Sequence, residues 1–228
     1  MGINTSGYIY ESFSDCKITS KSATNYIGGI SGITNGGEIY KCASAGKIEA
    51  TKPSDSTSYV GGITGLLPSG LVVNGYSEML VSVLSPKAYV GGIVGYNQEG
   101  NVQNTYSHNK IETSGVESFS GGIVGYSEGG FIVDNVTIDA EIIGSGKVDG
   151  VVNRQGEMVY SENNYINENT RIDGINDIQN GGGIILKDKE MKNEEFFFKP
   201  IPSGGKLGWI MEDIWYMDKN SLYPKLVK

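Results

Sequence analysis

Histidine occurs once in this 228-residue chain, at His108, cysteine twice and proline six times. A single histidine excludes a two-histidine zinc site within one chain and the metallopeptidase signature that needs it. No run of 18 apolar residues occurs, so no membrane-inserted helix is expected, and the N-terminus carries no charged-then-apolar leader. Basic residues are outnumbered, 18 Lys and Arg against 26 Asp and Glu, which gives a formal charge of -8. An acidic surface without a basic stripe repels phosphate backbones, so nucleic acid is not expected as a partner. The 34 glycines follow no Gly-X-Y period, which excludes collagen, and their density excludes long helices. Met1-Gly2 directly before a repeat reads as a start placed inside a longer protein.

What the chain does contain is an internal repeat. Tyr26-Ile-Gly-Gly-Ile-Ser-Gly-Ile33, Tyr59-Val-Gly-Gly-Ile-Thr-Gly-Leu66, Tyr89-Val-Gly-Gly-Ile-Val-Gly-Tyr96 and Phe119-Ser-Gly-Gly-Ile-Val-Gly-Tyr126 are copies of one pattern. Their leading glycines stand at 28, 61, 91 and 121, in steps of 33, 30 and 30, and a decayed copy follows at Val148–Asn153. Two further apolar positions keep the same register. One runs through Ile9, Ile39, Val72, Val102, Ile132 and Met158, the other through Ile18, Ile48, Val81 and Ile111.

Three short apolar-alternating segments per period of about 30 residues predict an all-β fold. The architecture expected is a parallel β-helix, or β-solenoid, of about five stacked coils. Right-handed coiling is the default for parallel crossovers. Ile30, Ile63, Ile93, Ile123 and Val151 should form one buried column, and the glycine pairs should mark bends or close backbone approaches. A propeller blade needs four strands and a longer period, and the leucine-asparagine pattern of leucine-rich repeats is absent.

The Gly-Gly-Ile-Val-Gly-Tyr core resembles the GLUG motif, found in tandem in large bacterial surface proteins such as adhesins and in the non-catalytic region of immunoglobulin A protease-like proteins. The resemblance covers about residues 7–165, with Asp149 and Asn153 standing where the motif has glycine. More loosely it extends to Leu207-Gly-Trp209, Ile214-Trp215 and Tyr223-Pro-Lys-Leu226. It implies an extracellular or bacterial cell-surface location, and carries over no activity and no functional residue.

Three regions follow: repeats over 1–165, an irregular connection with a short helix over 166–195, and a capping segment over 196–228. The helix is expected at Lys187–Glu195 with Met191 facing inward. Seven of the 22 aromatic residues fall in the last 33 positions, which reads as an aromatic cap over the final coil.

The sequence points to no catalytic residue, metal ligand or cofactor. Ser127, in Gly125-Tyr-Ser-Glu-Gly129, matches the bare nucleophile-elbow pattern but opens no helix and follows His108 in sequence, so both read as turn residues. Glu49 and Glu112 share a register two coils apart, roughly 10 Å, far too wide for a retaining glycosidase pair and marginal for an inverting one, so they read as solvated strand carboxylates. Asp173-Gly-Ile-Asn-Asp177 lacks the oxygen-ligand spacing of a calcium loop. Cys16 aligns with Gly46 and Cys42 with Ser12, an offset of four residues that predicts free thiols.

A surface remains. If Ile9, Ile39, Val72, Val102 and Ile132 point inward, their neighbours point out. Among these, Tyr8, Tyr10, Tyr40, Leu71, Val73, Phe131 and Val133 make an unusually apolar exterior, the candidate binding face. A covering by the C-terminal segment and a role in partner binding are both open. The function this suggests is a non-catalytic module for adhesion or a stalk, binding a host or cell-surface protein or glycan, with neighbouring domains of a longer chain as further partners. The alternative is a substrate- or carbohydrate-binding accessory region of a larger secreted peptidase or glycan-active enzyme.

Overall fold

Each repeat forms short parallel strands that pair with the same residues of the coils before and after. Tyr59 lies opposite Tyr26 and Tyr89, Val72 opposite Ile39 and Val102, and Val81 opposite Ile48 and Ile111. The fold, seen in a computed structural model, is therefore a parallel β-solenoid of about five turns. The structure describes residues 2–22, 24–51, 56–154, 158–176, 182–191, 194–198, 207–210, 213–217 and 223–227. Its parallel strands fall into one ten-stranded and one fourteen-stranded sheet. Among the described residues no helix is long and apolar enough to cross a membrane.

The first glycine of Gly-Gly-Ile ends a strand, and the second glycine and the isoleucine bend the chain into the next, as between Lys87–Gly91 and Val94–Asn97. An early coil has three strands, Asn25–Gly28, Ser31–Tyr40 and Ala43–Thr51, whereas the coil from Lys87 to Thr113 breaks the same path into five shorter ones. The isoleucine column holds across the bend. Ile30, Ile63 and Ile93 donate backbone hydrogen bonds of 2.9–3.0 Å to the carbonyls of Ile63, Ile93 and Ile123 in turn, and Ile123 donates to Val151.

The interior is divided. One apolar compartment holds the Ile39–Val72–Val102–Ile132 column and the bend isoleucines. The other holds Ile48, Val81, Ile111 and Ile142, facing Ile27, Val60, Val90 and Val148. Burying each such side chain contributes about 1.5–3 kcal/mol. Ser44, Ser77, Ser107 and Thr137 form a hydroxyl ladder in register along the coils. Ser44 Oγ donates to Gly62 O at 2.7 Å, Asn109 Nδ2 to Gly92 O at 2.7 Å and Thr137 Oγ1 to Gly150 O at 2.6 Å. This is why the second glycine of each pair is needed. A Cβ on Gly62 would stand 2.1 Å from both Gly92 O and Ser77 Oγ.

Two expectations need correcting. Met158 is not the last rung of the Ile132 column. It is exposed, and the residue opposite Ile132 is Ser161, because the last coil places Val159 against Gly130. Nor does the solenoid end at 165. Strand Arg171–Asn176 continues on Glu141–Asp149, and Ile184–Leu186 continues on Tyr165–Asn167. The expected helix appears as two short ones, Asp188–Met191 and Glu194–Phe198, with Met191 fully buried.

The aromatic C-terminal segment covers more than the last coil. Phe196 meets Tyr165 of that coil edge-on at 5.3 Å. From there the cover runs back along the flank of the solenoid, over an outward column formed by Tyr165, Val136, Tyr106, Tyr76 and Ala43. Trp209 stacks on Trp215 at 4.7 Å, and both rings approach the Tyr76–Tyr106 stack. Polar clasps hold the segment down. Trp209 Nε1 donates to Asp134 O, the Tyr223 hydroxyl to Asp139, and Lys225 to Glu78. The outward rings of Tyr76, Tyr106 and Tyr165 are too large to leave in water, and this tail is what buries them.

Candidate binding face

The candidate face lies on the ten-stranded sheet, on either side of the inward Ile9–Ile132 column. One outward file is Tyr8, Glu38, Leu71, Asn101 and Phe131; the other is Tyr10, Tyr40, Val73, Gln103 and Val133. The structure brings all seven sequence-predicted residues onto this one strip. Tyr8, Tyr10 and Phe131 are exposed, while Tyr40, Leu71, Val73 and Val133 are half-buried against their neighbours.

The last coil extends the strip with two residues the sequence reading missed. Tyr160 stands opposite Phe131, with ring centroids 5.5 Å apart, and Glu162 opposite Val133. Reading Ser161 rather than Met158 as the inward rung would have found both. Six coils at a strand spacing of about 4.8 Å make the strip roughly 24 Å long.

Its aromatic density is greatest at the first two coils. Tyr8 and Tyr10 are 5.6 Å apart with rings tilted by 42°, and Tyr10 meets Tyr40 edge-on at 5.5 Å and 74°. The Tyr10 hydroxyl donates to Glu38 Oε2 at 3.3 Å. Desolvation, with the adjacent Glu38 carboxylate, pushes the Tyr10 phenol above its ordinary value. A cleft of about 420 Å³ opens between Tyr10, Glu11, Glu38 and Tyr40.

The described residues of the tail pack elsewhere. Of the strip's seven predicted residues, Tyr40 alone packs against the aromatic cluster of the tail. The tail spends its apolar surface on the Tyr76–Tyr106 column instead.

A second aromatic zone has a different character. Tyr26, Tyr59, Tyr89 and Phe119 stack face to face at 5.0–5.6 Å, and Tyr96 stacks on Tyr126 at 5.4 Å beside them. Rings so stacked cover one another's faces, so the file presents edges and hydroxyls rather than the open faces a sugar ring would lie on. It stiffens the bend of each coil.

The carboxylates considered for catalysis are engaged in ion pairs. Glu49 pairs with Lys47 at 2.7 Å and Lys17 at 3.5 Å, and Glu112 with Lys110 at 3.4 Å. The hydrogen bond from Lys47 holds the Glu49 carboxyl below its ordinary value, the opposite of what a general acid requires. Ser127 is buried and donates to Gly129 O at 2.9 Å, closing its turn. His108 is exposed, its ring 5.8 Å from Tyr223. Asp173 pairs with Arg171 at 3.1 Å, and Asp177 lies outside the described residues. Among the described residues no group of three His, Cys, Asp or Glu side chains is placed to hold a metal ion. Cys16 and Cys42 are both free thiols.

Compared with known proteins, the chain matches no family model, no curated protein and no solved structure.

Proposed function

We propose that this chain is a non-catalytic repeat module of a bacterial surface or secreted protein. It acts in adhesion, or as a stalk that presents a binding surface to a protein or glycan outside the cell. The observation that carries this reading is the strip running from Tyr8, Tyr10 and Tyr40 through Leu71 and Val73 to Phe131 and Val133. These rungs carry apolar side chains outward, interrupted by Glu38, Asn101 and Gln103, while the described residues of the aromatic tail bury the neighbouring column instead. Contiguous exposed apolar surface of this kind marks contact sites. The resemblance of the Gly-Gly-Ile-Val-Gly-Tyr repeats to GLUG arrays supports the location and the class.

A printed glycan array and a panel of immobilised extracellular-matrix proteins, probed with the fluorescently labelled chain, test this reading. Saturable retention on at least one surface, competed by unlabelled chain, is expected. Absence of retention on both panels would speak against adhesion and leave the stalk, whose test is mechanical.

A further inference from the structure

The cleft at the head of the strip has a composition that selects its occupant. Two of its walls are the rings of Tyr10 and Tyr40, set at 74° to each other, with Tyr8 beside them. Its other two lining residues are Glu11 and Glu38. The Glu11 carboxylate is already matched by the Lys41 ammonium at 2.9 Å. Among the described residues no lysine or arginine pairs with Glu38, which accepts only the Tyr10 hydroxyl among the hydrogen bonds described. The cleft therefore has two electron-rich rings and one carboxylate that no described lysine or arginine balances.

We propose that this cleft binds a guanidinium group, an arginine side chain presented by a protein partner. Tyrosine rings attract a cation over their faces. A planar guanidinium can lie flat on one ring and still give a carboxylate two parallel hydrogen bonds, which neither a lysine ammonium nor a quaternary ammonium can do. Lys41 bears on the choice as well. Its buried ammonium pairs with Glu11, so among the described residues the Glu38 carboxylate is the charge left to meet one arginine.

This inference rests on the proposed binding role of the strip and narrows it to a chemical class. The test titrates the intact chain with N-acetyl-arginine methylamide, N-acetyl-lysine methylamide and choline, followed by amide and tyrosine-ring NMR shifts at low salt. Saturable shifts at Tyr10, Glu38 and Tyr40 are expected with the arginine probe, in the millimolar range typical of one side chain. The lysine and choline probes should bind more weakly. Glu38→Gln keeps the shape of the cleft and should weaken the arginine probe about tenfold, the loss of one charged hydrogen-bonding partner. Tyr10→Leu, at an exposed position, should weaken all three.

No saturable shift, equal binding of the three cations, or shifts unchanged in Glu38→Gln would each overturn the proposal. A chain that is retained on the arrays but ignores the arginine probe would lose this inference and keep the binding role. Arginine binding without any retention would sink the binding role and keep the cleft.

Discussion

The Lys41 ammonium lies 2.9 Å from the Glu11 carboxylate, and both residues hold a left-handed backbone, with φ of 54° and 48°. They occupy the same corner of successive coils. In the later coils that corner is filled by Asn74, Asn104, Asp134 and Asn163, all with φ between 52° and 58°. Asparagine and aspartate tolerate this conformation far better than glutamate or lysine do, at a difference of about 1 kcal/mol per residue. The ion pair, with Glu11 well exposed, offsets only part of that cost. The double variant Glu11→Asn/Lys41→Asn is expected to be more stable by about 1 kcal/mol, measured by urea unfolding. Glu11→Asn alone should be less stable than the double variant, because it leaves Lys41 buried without its carboxylate.

Gly62 and Gly92 bring their backbone against the next coil's carbonyl and the hydroxyl ladder at once. A Cβ at Gly92 would stand 2.0 Å from Gly122 O and 2.1 Å from Ser107 Oγ, and the backbone contact has no flexible end that could yield. Gly92→Ala is expected to cost about 3 kcal/mol or more, read as a shift of the denaturant midpoint.

The tail owes its hold to buried aromatic rings, and the chain's two tryptophans, Trp209 and Trp215, both belong to it. Trp209→Ala should cost about 3–5 kcal/mol of the tail's docking energy, as for a fully buried tryptophan. The emission of Trp215 should shift to the red, while the far-UV signal of the solenoid strands is retained.

Alkali should loosen the same contact. Burial, helped by Glu78, pushes the Tyr76 phenol up to about 12, and burial raises Tyr106 and Tyr223 as well. A phenol whose value is raised on folding stabilises the docked state fully below its ordinary value near 10, and that contribution is lost as pH rises through the folded value. Tryptophan emission should therefore stay constant to about pH 10 and shift to the red between about 10 and 12, with phenolate absorbance appearing over the same window.

Much of this was legible in the sequence because a solenoid repeats its constraints. Gly28, Gly61, Gly91 and Gly121 are in register in the sheets as they are in the sequence, and the isoleucine column two residues later follows with them. The offset between Cys16 and Cys42 correctly gave two free thiols for the same reason. What failed were statements needing contacts between different parts of a coil. The slip that turns Met158 outward comes from the shorter last coil, in which Gly130 pairs with Val159, and no repeat copy remained to reveal it. The hydroxyl ladder behind the glycines involves serines some 15 residues away on the opposite wall, as with Gly62 and Ser77. Strand alternation gave the two files of the candidate face, but the sequence did not say which outward column the tail would choose. The Tyr76–Tyr106–Tyr165 column carried the signal in its bulk. Three aligned tyrosines form a better apolar surface than Leu71, Asn101 and Phe131.

The central claim is that the open strip serves contact and not the fold. Its most direct test is the affinity of Tyr8→Ala/Tyr10→Ala for the surface that retains the unmodified chain, measured by biolayer interferometry alongside the melting temperature. Both side chains are exposed, so the melting temperature should hardly move. Affinity should fall about tenfold or more, as for the loss of aromatic anchors at an interface. Unchanged affinity, or a loss of affinity matched by a loss of stability, would contradict the account.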